Sequence, residues 1–158
     1  MSWRRVRAEF NSGKGAGNKA AMRRMVRRSV PLGVLLYKDG AAVGWCSVAP
    51  REQFVALGRS RVWAPVDDRP VWSVSCFFLL KEYRRRGLSV ELLRAAVEFA
   101  RKQGAKIVEG YPQELDKELP GAFVWTGLAE SYKRAGFKVA ARRSSTKPIM
   151  RHEISLQG

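Results

Sequence analysis

Histidine is nearly absent from this sequence, with His152 the sole imidazole in 158 residues, and Cys46 and Cys76 are its only cysteines. No C-x-x-C pair and no Cys/His cluster exists, so neither a disulfide framework nor a conventional zinc centre can be assembled, and no metal is expected. The only imidazole is also far in sequence from Cys76, which reads, like Cys46, as a small core residue rather than a nucleophile. No stretch reaches the roughly 18 uninterrupted apolar residues of a membrane span. Arg4, Arg5 and Arg7 are followed by no apolar signal core. A cytoplasmic protein with no membrane partner is expected. Negative charge is scarce: fourteen Asp and Glu stand against thirty Lys and Arg, a formal net charge of +16.

What is present suits a folded protein. A hydrophobic content of 46% with 10% aromatics is too high for a disordered basic tail, and 158 residues suffice for one core, so a single domain over residues 1–158 is expected. The charge is unevenly spread. Residues 1–30 carry nine Lys or Arg against Glu9 alone, whereas Glu109, Glu114, Asp116 and Glu118 form an acidic island around Lys117. A positive field of this size attracts nucleic acid or an anionic cofactor, or is simply a solvated arginine-rich surface; charge alone does not choose.

The pattern along the chain is mixed α/β. Trp3–Val6 reads as a short strand, residues 11–17 as a loop, and Asn18 as the cap of a helix ended by Pro31, with Met22, Met25, Val26 and Ser29 on one face. Gly33–Lys38 and Val43–Ala49 flank Asp39-Gly40, a strong hairpin signal, and residues 51–58 follow as a short helix. Val71–Leu80 is apolar on both alternating faces, as a central strand should be. Ser89–Gln103 places Leu92, Leu93, Ala96, Val97 and Ala100 on one helical face before Gly104. A strand at Lys106–Glu109, an acidic loop at 112–121, a helix at Leu128–Ala135 and strands at Phe137–Arg142 and Pro148–Ile154 complete a layered structure.

Between the central strand and its helix lies Lys81-Glu82-Tyr83-Arg84-Arg85-Arg86-Gly87-Leu88-Ser89. A helix N-terminus exposes unpaired N–H groups, a glycine lets the main chain approach a ligand, and arginines add positive charge, so a phosphate suits this turn. A solvated basic loop with a glycine at positive φ is the plainer alternative. The other glycine cluster, Gly13-Lys14-Gly15-Ala16-Gly17, lacks both a preceding strand and a Gly-Lys-Ser/Thr ending.

The strand, the Arg84-x-x-Gly87-x-Ser89 turn and its helix resemble the coenzyme-binding core of the GNAT acetyltransferase superfamily. The run Glu130-Ser131-Tyr132-Lys133-Arg134-Ala135-Gly136-Phe137 resembles that family's second signature, a helix ending in Tyr-x-x-x-Gly-Phe. The likeness covers roughly residues 15–143. It departs at Ser89, where the family usually carries Gly or Ala, and at the N-terminus, where only Trp3–Val6 is available for the opening strand. The resemblance implies a central, mostly antiparallel sheet flanked by helices, with a shortened or missing first strand.

It also implies acetyl-CoA as co-substrate, with the pyrophosphate on the main-chain amides of Arg84, Arg85, Arg86, Gly87, Leu88 and Ser89. The pantetheine arm would pair with the strand end at Phe78, Leu79 and Leu80, and the thioester would enter where the central strand splays from the next. Tyr132 would protonate the departing thiolate, although its helical spacing alone suits a core aromatic equally well. Glu109 closes the neighbouring strand and is the best general-base candidate, with Asp67 and Asp68 weaker; an ordinary strand-end carboxylate is the alternative for Glu109. Trp45, Trp63 and Trp72 line an acceptor cleft or fill the core. The expected activity is N-acetylation of a primary amine on a small molecule or protein, by a monomer or homodimer. A nucleic-acid-associated protein, or an acetyltransferase with an RNA-linked or ribosomal acceptor bound through Arg4–Arg28, is the alternative. No RNP-like aromatic signature or zinc-finger spacing supports a purely nucleic-acid role.

Overall fold

A computed structural model describes residues 1–114 and 125–155. Helices α1 (Arg7–Ser12) and α2 (Ala16–Arg27) precede strands β1 (Val34–Lys38) and β2 (Ala41–Pro50). A 3₁₀ turn at Arg51–Gln53 and α3 (Val55–Gly58) lead to β3 (Trp72–Leu79). Then follow α4 (Leu88–Lys102), β4 (Ile107–Gly110), α5 (Ala129–Arg134), β5 (Lys138–Arg142) and β6 (Pro148–Glu153). The strands form one six-stranded sheet in the order β1-β2-β3-β4-β6-β5. Among the described strands only β3 and β4 run parallel, joined by the α4 crossover, and every other neighbouring pair is antiparallel. No helix among the described residues is long and apolar enough to cross a membrane.

The sequence pattern explains most of these elements. Asp39 (φ 49°) and Gly40 (φ 78°) are both left-handed, the conformation a tight hairpin turn requires, and they join β1 to β2. The apolar stripe of α4 is buried at Val90, Leu92, Leu93, Ala96 and Ala100, against Cys46 and Val48 of β2, Val74 of β3 and Val108 of β4. A second, smaller core gathers Ala49, Phe54, Leu57, Tyr111 and Ile149, with Trp3 and Trp63 packed on it. Both cysteines are free, Cys46 buried in the main core and Cys76 partly covered. Trp72 packs edge-on against Phe99, which makes it a core residue.

Two local expectations are corrected at the N-terminus. Trp3–Val6 is not a strand. Its groups are committed to the second core: the Trp3 carbonyl accepts from the Ala56 amide at 3.1 Å, and its ring lies 5.2 Å from that of Trp63. Arg4 donates to Gln53 and to the Pro31 carbonyl, its guanidinium 4.5 Å from the centre of the Phe54 ring, and burial pulls its pKa down to about 10. β1 is therefore the edge of the sheet. Asn18 does not cap α2, because Gly15 (φ 75°) starts that helix and Asn18 is buried within it, donating to the Phe10 carbonyl and accepting from Arg5. Helix α1 buries no residue, so no apolar periodicity announced it.

Candidate active site

The site begins where β3 and β4 part. The two strands are paired at Trp72 with Val108, Ser73 with Glu109 and Val74 with Gly110, and no further, whereas β2 stays paired with β3 as far as Leu79. Beyond Val74 one edge of β3 is therefore released from its parallel partner. The Leu80 amide donates to Val43 of β2 at 3.0 Å. Alternation along the strand then turns the Phe77 and Leu79 amides toward the opened edge. Of Phe78, Leu79 and Leu80, only Leu79 directs its main chain into this gap. Phe78 lies opposite Trp45 of β2 and is 52% exposed. Phe77, which the sequence did not single out, faces the gap as well. The register irregularity between Ser47 and Val48 helps set that phase, and no residue-type signal marks it.

The turn after β3 is compact and basic. Arg84 folds back so that its Nε donates to the Leu79 carbonyl at 3.0 Å, tying the turn to the strand end. Arg85 (φ 59°) and Gly87 (φ 75°, ψ 0°) are both left-handed, and Gly87 caps α4 with no side-chain hydrogen bond to the helix. The first amides of α4 thus meet no capping side chain. A Cβ added at Gly87 would find no heavy atom within 4 Å, so the space in front of the turn is open. Arg84, Arg85 and Arg86 are exposed around it. Ser89 turns its hydroxyl to Ser131 at 3.0 Å, linking the first turn of α4 to α5. This gives a physical role to the serine that departs from the family pattern.

Helix α5 carries Tyr132 to the fork between the strands. The side chain is fully buried, its ring edge-on to Phe77 and Phe137 at centroid distances of 6.1 and 5.0 Å. A Cβ at Gly110, the β4 residue paired at the parting point, would lie 2.0 Å from Tyr132 Cε1. Glycine at 110 is what lets the ring sit there. The hydroxyl donates to the Thr126 carbonyl at 3.1 Å, and burial raises its pKa well above the ordinary tyrosine value. The phenol therefore holds its proton across the neutral range.

Glu109 occupies a different environment from an open strand end. It is fully buried; Oε1 accepts from Tyr111 at 2.8 Å and Arg51 at 3.1 Å, and Oε2 from Arg151 Nε at 2.7 Å. Arg151 also donates to both oxygens of Asp67, whose carboxyl it holds below the usual range. Tyr111 shares a hydrogen bond with Ser73 at 2.7 Å, and burial, then the Glu109 charge, raises its pKa. The network pins β3, β4 and β6 on the face away from α4, and no surface of Glu109 is open to an approaching ammonium. Arg51, Tyr111 and Arg151 come together only through the strand order, so sequence reading missed them. Of the acidic island, Glu114 pairs with Arg142, and Asp116 and Glu118 lie outside the described residues. Among the described residues, no group of three or more His, Cys, Asp or Glu side chains could hold a metal ion.

A six-stranded, mostly antiparallel sheet with one parallel pair parting in front of a glycine turn and a helix N-terminus defines the class of acetyltransferase-type folds. The model of the acetyltransferase (GNAT) family matches residues 3–114, and the chain belongs to that family. No curated protein matches it. Among solved structures it is similar to aminoglycoside acetyltransferase AAC(6')-Ib in complex with paromomycin and acetyl-CoA, at 19% identity and a TM-score of 0.52. That match covers 75% of this chain and 62% of the other, so the chain spans less than two thirds of that enzyme. A PaiA N-acetyltransferase from Thermoplasma acidophilum in complex with coenzyme A gives 15% identity and a TM-score of 0.57, covering 95% and 80% of the two chains. A ribosomal-protein-alanine N-acetyltransferase from Brucella melitensis gives 14% identity and 0.55, covering 87% and 76%. At these identities the likeness is one of fold.

Proposed function

We propose that residues 1–158 form one acetyltransferase domain that uses acetyl-CoA to acetylate a primary amine of a small molecule or a protein, as a monomer or homodimer. The observation that carries this reading is the left-handed Gly87 turn, open in front, at the uncapped N-terminus of α4 and directly beside the parted strands. The amides of Arg85–Ser89 and the surrounding guanidiniums suit a pyrophosphate, the Arg84 amide being held by the Lys81 carbonyl at 3.2 Å. The Leu79 amide suits the amide-bearing arm, as does the Phe77 amide, which the Trp125 carbonyl holds in the free protein, whereas Phe78 and Leu80 turn their main chain toward β2. The bound thioester supplies an activated acetyl group. The free cysteines suit the reducing cytoplasm.

In this reading Tyr132 holds a proton at its hydroxyl, beside the fork, for the leaving sulfur. Thiols have a pKa of about 8.5, so the thiolate is a tolerable leaving group and the acid contributes a factor of roughly a hundred rather than the whole rate. Tyr132→Phe keeps the ring that packs on Phe77 and Phe137. It should retain folding and bind acetyl-CoA at least as tightly as the wild type while turnover falls at least about tenfold; normal turnover would make Tyr132 a packing residue only. Glu109 is the weaker catalytic assignment, since it has three partners and no open surface, and water is the more accessible acceptor for the amine proton. A turnover screen with acetyl-CoA across polyamines, aminoglycosides, amino acids and peptides tests the activity. Turnover on any amine supports it, and coenzyme binding without transfer to any of them argues against it.

A second reading concerns the acceptor. Lys19, Arg23, Arg24, Arg27 and Arg28, on α2 and its C-terminal cap, are all exposed, and none makes an ion pair among the described residues. Like charges three and four residues apart repel. A polyanionic acceptor, such as an RNA-linked or ribosomal one, would relieve that repulsion. RNA affinity that falls steeply with salt, and falls further in an Arg23→Glu/Arg27→Glu protein, would favour it; salt-independent or absent binding would leave the small amine.

A further inference from the structure

The fork between β3 and β4 is bridged by a short piece of the protein's own main chain. The Trp125 carbonyl accepts from the Phe77 amide at 2.7 Å, on the edge that β4 has left. On the other side the Gln113 amide donates to Gly127 at 2.9 Å and the Ala129 amide to Gln113 at 3.0 Å, so the same segment is stitched to the continuation of β4. Between these anchors the Thr126 carbonyl takes the Tyr132 hydroxyl. Segment 125–127 therefore occupies a main-chain donor of β3 and the proton of Tyr132 together, the two groups that the proposed reaction needs.

The bridge is imperfectly seated. Thr126 is 1% exposed, and its Oγ1 is buried without a hydrogen-bond partner among the described residues. A buried hydroxyl with no partner destabilises the state that holds it. Gly127 adopts φ 88°, and a Cβ there would approach Tyr132 Cε2 to 3.0 Å and Phe77 Cε2 to 3.1 Å. These two positions bias the closed bridge in opposite ways: the orphaned threonine hydroxyl weakens it, and the missing side chain at 127 permits it.

We infer that segment 125–127 is a strap that competes with the coenzyme for the fork, and that Thr126 and Gly127 set coenzyme affinity through the stability of the closed strap. This rests on the acetyl-CoA reading of the site. When the arm of the coenzyme enters, the strap gives up the Phe77 amide and releases the Tyr132 hydroxyl, so occupancy of the fork and availability of the proton are linked. The fraction of molecules with the strap open multiplies the intrinsic affinity.

The test uses two substitutions of opposite expected sign, with affinity measured by calorimetry with acetyl-CoA and Phe77 amide exchange measured in the coenzyme-free proteins. Thr126→Val replaces the orphaned hydroxyl with a methyl of the same shape, and should slow exchange at Phe77 and weaken acetyl-CoA binding roughly threefold or more. Gly127→Ala crowds both rings from a strained backbone, and should speed that exchange and tighten binding by a similar factor. Affinities that stay unchanged, or that move in the same direction in both proteins, overturn the strap. Should Gly127→Ala fail to fold, Thr126→Val decides alone, and an unchanged affinity is then sufficient to reject it. Binding by Gly127→Ala but not by the wild type supports a tightly closed strap. No binding by any of the three proteins rejects the acetyl-CoA reading and the strap with it, whereas wild-type binding with inert substitutions rejects the strap alone.

Discussion

Glu109→Gln should cost the protein about 3 kcal/mol of stability, the order of magnitude for removing one partner from a buried ion pair. The amide cannot answer two guanidiniums: Arg51 and Arg151 would keep their positive charges beside it, with side chains only 13% and 8% exposed. Tyr111 would also lose the carboxylate that accepts its proton at 2.8 Å. Asp67 stays with Arg151 and limits the damage. For a chain of this size, about 3 kcal/mol corresponds to a fall in Tm of roughly 6–12 °C. Thermal unfolding checks the fall, and turnover per folded molecule on any acceptor separates the roles. A large loss of Tm with near-normal turnover makes Glu109 a structural anion. An unchanged Tm with collapsed turnover and an altered pH profile would restore it as a general base.

Gly87→Val should weaken acetyl-CoA binding at least about tenfold, or roughly 1.4 kcal/mol, while the protein still folds. The reason is backbone conformation rather than crowding in the free protein, since a Cβ there meets nothing within 4 Å. A φ of 75° costs an L-residue about 1–2 kcal/mol, and β-branching makes valine worse than most. Valine therefore either strains the turn or flips it, and its side chain projects into the space the phosphates would need. Arg85→Ala, which removes a charge but leaves the glycine, should lose less. Titration of the two purified proteins decides the matter; equal affinity for Gly87→Val and wild type would place the phosphates elsewhere.

The parts of this protein that sequence reveals are those whose cause is local. Asp39-Gly40 announces its hairpin, the stripe of Leu92, Leu93, Ala96 and Ala100 announces α4, and the Arg84-x-x-Gly87 turn lies where a strand exit meets a helix N-terminus. Tyr132 stands out in the sequence only through the resemblance of its helix and the Gly136-Phe137 that follows, since its helical spacing alone reads as a core aromatic. What stayed hidden depends on partners distant in the chain. Glu109 reads as a strand-end carboxylate until β6 brings Arg151 beside it and the segment after β2 brings Arg51. Phe77 looks like any apolar strand residue, and its amide matters only because β4 pairs with β3 no further than Val74. Trp3–Val6 has the composition of a strand, but its tryptophan is claimed by Trp63.

Amide hydrogen exchange across the protein, measured with and without acetyl-CoA, addresses the account most directly. Protection should appear first at Arg85–Ser89 and at Leu79, with the amides of the cationic helix α2 unaffected. Binding that leaves the Gly87 turn and the β3 edge unprotected while shielding α2, or no binding at millimolar coenzyme, would contradict it.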